Sequence, residues 1–154
     1  MTVLALDLGT NLGWAVSYGP NDILHGTIEF RTGRYEGGGM RWLRFRTWLR
    51  GMHDEHGPID AIYFEEVRAH KGVDAAHIYG GFLAQLTAWC EQNEVPYQGI
   101  SVGAIKKHAT GKGNANKLAM MLAMREKGFT PRDDNDADAL ALLLLVLDEN
   151  RADA

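Results

Sequence analysis

Val3-Leu4-Ala5-Leu6-Asp7, followed by Leu8-Gly9-Thr10-Asn11-Leu12-Gly13 and by Trp14-Ala15-Val16-Ser17-Tyr18, is the stretch whose reading decides the fold. Its first four residues are apolar without a break, the pattern of a central strand covered on both faces; a strand with one wet face would alternate. Asp7 stands where that strand ends. An ionised carboxylate at such a place is costly unless it is hydrogen-bonded, paired or bound to a cation. The Gly9-Thr10 turn offers amide donors as one answer, and a metal ion offers another.

Composition narrows the classes. A chain of 154 residues, 45% of them hydrophobic, can bury one core, so the expectation is a single domain over 1-154. No apolar run is long enough to span a bilayer and no export signal opens the chain, so a cytoplasmic protein without a membrane partner is expected. The one cysteine, Cys90 beside Trp89, excludes an internal disulfide framework and a multi-cysteine zinc site, and reads as a core residue. A net charge of -4 argues weakly against a general nucleic-acid binder, but the sum hides local patches and counts metal-bound acids as free.

Outward from the first stretch, Gly19-Pro20-Asn21-Asp22 is a turn and Ile23 to Phe30 a further strand, which gives three consecutive antiparallel strands. Thr32 to Gly39 is a glycine-rich connection. Met40 to Met52 spaces Trp42, Phe45, Leu49 and Met52 as an amphipathic helix whose arginines form a solvated face. Asp60 to Phe64 is then a short strand that delivers Glu65-Glu66 at its end, as the first strand delivers Asp7. A strand, helix, strand connection within one sheet makes the two strands parallel, so both acids emerge at one edge. Carboxylates held together there repel unless a cation lies between them.

Val67 to Gly72 is a loop carrying Arg68 and His70, and Asp74 to Glu91 a helix with Ile78, Phe82, Leu86 and Trp89 on one stripe. Its second face, with Ala75, Ala76, Tyr79, Gly80, Gly81 and Leu83, is low in charge and suits a core, a dimer or both. Val95 to Ile100 reads as a strand. The stretch from Lys106 to Lys117, which includes Lys107 and Lys112, reads as a basic loop in which Gly111 and Gly113 permit close approach to a phosphate. It is not a Walker A loop, because no Lys-Ser or Lys-Thr pair closes it. A helix over Asn116 to Lys127 precedes the last helix, which opens at Asp133-Asp134 and runs apolar on nearly every side to Leu147. Acids in its first turn suit the helix dipole, but Asp138 lies a full turn inside. At helical spacing Asp138 shares a face with Asp134 and Asn135, whereas Asp136 points elsewhere.

The segments Leu4 to Ala15, Phe64-Glu65-Glu66-Val67, Gly111 to Lys117 and Asp134 to Leu140, in this order, resemble the RuvC family of Holliday junction resolvases, most closely its short phage-type members. The resemblance implies an α/β RNase H-like fold, a mixed five-stranded sheet flanked by helices, in which four carboxylates hold two Mg2+ ions, with Mn2+ able to substitute. By motif the ligands are Asp7, Glu65, Asp138 and, where the bacterial pattern meets Asn135, Asp134 four residues before Asp138; Glu66 is a spare ligand. Lys117 joins the catalytic group, and Arg68, Lys106, Lys107, Lys112 and Lys117 are the DNA-binding candidates. The resemblance further implies a homodimer that cuts branched DNA, the four-way junction above all, with the helix from Asp74 to Glu91 as the candidate interface. Where the bacterial family places a junction-wedging aromatic, this chain has Val67-Arg68, so broad action on branched DNA with little base preference is expected. The rival readings are a non-catalytic branched-DNA binding module and an RNA-processing nuclease of the YqgF-like branch.

Overall fold

The computed structural model describes residues 1-19 and 21-153. Its elements run β1 (Val3–Asp7), β2 (Asn11–Gly19), β3 (Asp22–Glu29), α1 (Gly39–His56), β4 (Ala61–Glu66), α2 (Val73–Gln92), β5 (Tyr97–Ser101), α3 (Val102–Thr110), α4 (Lys117–Glu126) and α5 (Asp134–Ala152). The strands form one mixed sheet in the order β3-β2-β1-β4-β5. β1, β2 and β3 are antiparallel neighbours, while β4 lies parallel to both β1 and β5.

The central strand is buried on both faces because each face carries its own core. Leu4 and Leu6 face α1 and α2, among Phe45, Leu49, Ile62, Phe82 and Leu86. Val3 and Ala5 face α3, α4 and α5, among Met120, Met124, Leu140 and Leu143. A helix apolar all round belongs in such a layer, and α5 is buried along most of its length, from Ala137 to Val146. Among the described residues no helix is long and apolar enough to cross a membrane.

Two glycines permit close approach between elements. A Cβ at Gly81 would lie 2.3 Å from the Trp42 ring, so the absence of a side chain is what lets that indole of α1 press against α2. A Cβ at Gly13 would lie 1.9 Å from the backbone carbonyl oxygen of Asn135, so the first turn of α5 rests on bare β2 backbone. Gly13 is paired across the sheet with Asp7.

The boundaries depart from expectation in two places that matter. The lysine-rich stretch is not one loop: Lys106 and Lys107 lie in α3, Lys112 in the connection after Gly111, and Lys117 opens α4. Gly111, at φ 86, terminates α3 in the left-handed conformation, so it is a helix stop before it is a phosphate cradle. The second face of α2 is also not uniformly outward, since Tyr79 is buried and Gly81 meets Trp42. Ala75, Ala76, Gly80, Ala84 and Ala88 are the exposed small residues of α2.

Candidate metal centre

Strand alternation assembles the site. Val3 and Ala5 face α5, so Asp7, two further on, faces it as well; on β4, Tyr63 packs against the same layer and Glu65 follows it by two. Leu6 is registered with Phe64, so Asp7 and Glu65 are the next residues of two parallel neighbours. α5 lays Asp138 over them. Oxygen atoms of Asp7, Glu65 and Asp138 lie within 4.8 Å of one another, and all three residues are partly buried.

Glu66 has the opposite parity and points to the other face of the sheet, which removes it as a spare ligand; beside it, Arg68 Nε stands 3.5 Å from the Glu66 carboxylate on an exposed side chain. Asp134 occupies the same face of α5 as Asp138, one turn earlier, but lies outside the three-acid cluster and pairs with Lys117 Nζ at 3.3 Å. Asn135 contributes a backbone carbonyl to the Gly13 contact.

The acids hold one another away from their ordinary ionisation. Burial, then the charges of Glu65 and Asp138, push the Asp7 carboxyl well above the usual range, and its hydrogen bond to Glu65 acts in the same sense. Glu65 is raised by burial, with the Asp7 hydrogen bond and the Lys106 charge pulling it back. Without an ion, therefore, burial and the neighbouring acids work against the charged form of Asp7 more than against that of a free carboxyl. Asp138 is pushed up to about 7 by burial and by the charges of Glu65 and Asp134, against the opposing pull of Lys106 and Lys117. Three hard oxygen donors in a partly dry site, with no arginine or lysine inserted between them, suit a divalent cation such as Mg2+, Mn2+ or Ca2+.

The sign of the pH dependence follows. A carboxyl whose folded pKa is raised lends stability that is complete below its unfolded value, near 3.8, and is lost as pH climbs through about 7. In chelator, the melting temperature should fall between these limits, and a divalent ion at neutral pH should restore it by about 2–4 °C for each kcal/mol recovered. Asp138→Asn should flatten the decline and blunt the response to the ion. Scanning calorimetry at several pH values, with and without Mg2+, checks this; a melting temperature that rises over the window would refute the electrostatic picture.

The N-terminus of α5 is fixed by a network that sequence periodicity does not disclose. Asp133 caps the helix by accepting from the Asp136 amide at 2.9 Å, and it also accepts from Thr27 Oγ1 of β3 at 2.6 Å. Asp136, 1% exposed, accepts from the Arg132 amide at 2.8 Å and from His25 Nδ1 of β3 at 2.7 Å. Asp136 does point away from Asp138, but it ties the helix to the edge strand β3 and is not an idle surface acid. Alternating polar residues on β3, His25 and Thr27, are the only signal the sequence holds for it.

Of the basic residues, Lys106 is the one whose charge bears on both Glu65 and Asp138, and Lys117 bears on Asp138 and Asp134. Lys107, the next residue of α3, is exposed, as is Lys112. One step along a helix turns a side chain by about 100°, which separates Lys106 from Lys107.

No protein-family model matches the chain, and no curated protein matches it by sequence. Solved structures do. The chain is similar to T. thermophilus RuvC in complex with Holliday junction substrate, at TM-score 0.77 and 25% identity, over 94% of this chain and 92% of that one. A second Thermus thermophilus RuvC structure matches over the same shares at TM-score 0.72 and 25% identity. The yeast mitochondrial Holliday junction resolvase Ydc2, at TM-score 0.61 and 12% identity over 90% of this chain and 74% of that one, shares the fold.

Proposed function

We propose that this chain, a structural homologue of RuvC with the RNase H-like fold, is a metal-dependent endonuclease that hydrolyses phosphodiesters in branched DNA, with the four-way junction as its principal substrate. The observation that carries the reading is the convergence of Asp7, Glu65 and Asp138 from two strands and a helix. A binding module has no use for carboxylates that repel one another and the phosphate alike. The site takes two Mg2+ ions, for which Mn2+ substitutes, with Asp134 as the fourth carboxylate.

When bound, the ions supply Lewis-acid activation of water and of the leaving oxygen. The chain's own residues do the rest. Asp7, at the meeting point of β1 and β4, faces both Glu65 and Asp138, and a cation held among the three acids would offset the repulsion between them. Lys106 and Lys117 flank the acids and supply positive charge to a phosphate drawn toward an otherwise anionic site. Lys107, Lys112 and Arg68 lie further out and meet the flanking backbone. The exposed small face of α2 is where a second copy would pack, giving a two-fold dimer able to cut two symmetric strands.

Labelled four-way, three-way and flap DNA, linear duplex and RNA, each in several sequences with Mg2+ or chelator, test the proposal. Cutting of branched DNA that requires the ion and varies little with sequence is expected, since phosphate contacts position a nucleic acid without reading it. Preferential cleavage of RNA, or junction binding without cleavage under any divalent ion, would favour one of the rival readings.

The lysines give a graded expectation. Log affinity for a junction should fall linearly with log salt, and Lys106→Ala and Lys117→Ala should each flatten the slope by about one unit, with less effect from Lys107→Ala. Equal slopes in all three variants and the parent would mean that these side chains are merely solvated.

A further inference from the structure

Tyr79 of α2 is absent from the acid cluster, yet its hydroxyl lies against the strand end that presents Glu65. The phenol donates to the Glu65 carbonyl oxygen at 2.8 Å and accepts from the Val67 amide at 3.2 Å. These two backbone groups form one slot of a β-ladder. The Ile62 amide bonds to the Pro96 carbonyl just before β5, so even-numbered residues of β4 direct their peptide groups to β5 and odd-numbered ones to β1. The slot made by Glu65 and Val67 therefore faces β1. Pairing with β1 stops at Leu6 and Phe64, because the chain leaves the sheet at Leu8 and turns through Gly9 and Thr10. Tyr79 occupies the place that another residue of β1 would have filled.

We infer that Tyr79 is a positioning residue, whose hydroxyl completes the β1–β4 ladder by one step and thereby holds the Glu65 carboxylate toward Asp7 and Asp138. The other edge of β4 is secured by β5, through the pairs Glu65 with Ile100 and Glu66 with Ser101. Without the hydroxyl, this strand end is held from one side only, while the acids it carries repel their neighbours. The ring itself is almost fully buried, with His70 packed at a centroid distance of 5.0 Å, so the hydroxyl's aim is fixed by packing on α2. Burial and the nearby carboxylates keep the phenol above its ordinary ionisation range, so it remains a donor to the carbonyl at working pH.

The inference rests on the reading that the acids hold a divalent ion, and its test is read on ion binding, apart from cleavage. Tyr79→Phe keeps the ring and removes one atom. Mn2+ titrated into the full chain, followed by calorimetry or by the spin-resonance signal of the free ion, should show binding weakened between about threefold and tenfold, the size of one net hydrogen bond. Hydrogen exchange in the metal-free protein should quicken at the Val67 amide while the amides of β2 and α5 keep their protection. In a Glu65→Gln background, which already lacks that ligand, Tyr79→Phe should change ion affinity no further. Wild-type ion affinity in Tyr79→Phe, or an equal loss on top of Glu65→Gln, overturns the inference and leaves the metal reading standing. Absence of Mn2+ binding by the unaltered protein overturns both.

Discussion

Asp7→Asn should abolish strand cleavage while leaving affinity for a four-way junction nearly unchanged. Asp7 is the residue that faces both of the other acids: it follows the last position of β1 paired with β4, beside Glu65 and beneath Asp138 of α5. An amide in its place keeps the volume but offers one neutral oxygen where an anion was required. Losing a hydrogen-bond partner behind a metal ligand commonly costs 10–100-fold, so losing the ligand itself should cost more than about 100-fold. The lysines are untouched, and one negative charge is removed from the surface that meets phosphate, so binding has no reason to fall. In chelator the variant should also melt higher, since a neutral amide escapes the burial and repulsion that push the Asp7 carboxyl up. Single-turnover cleavage with Mg2+, set beside gel-shift titration in Ca2+, checks the pair of outcomes. A parallel loss of binding and cleavage would mean that Asp7 supports the fold or the DNA surface, and the metal reading would have to be given up.

The parts of this site that were legible in the sequence share one property: each followed from a local pattern with a fixed period. Two apolar strands that each end in an acid, joined by a helix, must bring Asp7 and Glu65 to one edge. An acid one turn inside an apolar helix must face something that offsets its burial, which gave Asp138; Asp134, four residues back along the same face, follows only from the resemblance to the bacterial pattern and stands outside the three-acid cluster. What escaped depended on contacts between distant segments or on a single step of register. Asp136 and His25 are 111 residues apart, and nothing in either segment names the other. Lys106 and Lys107 are adjacent, and only the existence of α3, obscured by the glycines after it, separates the one beside the acids from its exposed neighbour. Tyr79 sits at the border of the apolar stripe of α2, and the slot it fills exists because β1 ends before β4 does.

Gly13→Ala should damage both the fold and the acid cluster, although Gly13 is not one of the acids. The added methyl would lie 1.9 Å from the Asn135 carbonyl oxygen, 2.4 Å from its carbon and 3.1 Å from the Asp136 amide nitrogen. All three are backbone atoms in the first turn of a helix, so no side chain can swing aside. Either β2 must bend away or α5 must lift. Lifting α5 strains the bonds from Asp136 to His25 and from Asp133 to Thr27, and it carries Asp138 away from Asp7, to which Gly13 is paired across the sheet. The expected loss is about 3 kcal/mol, the upper end of the cost of overpacking, together with a marked loss of divalent-ion affinity. Gly51→Ala is the matched control: it lies within α1 with nothing within 4 Å of the new methyl, so it should gain about 0.5–1 kcal/mol from helix propensity and leave ion binding alone. Urea unfolding of both variants, followed by Mn2+ titration of the folded proteins, decides the matter. If Gly13→Ala unfolds and binds ions as the parent does, α5 is not seated on β2, and the position of Asp138 over the strand ends must be explained some other way.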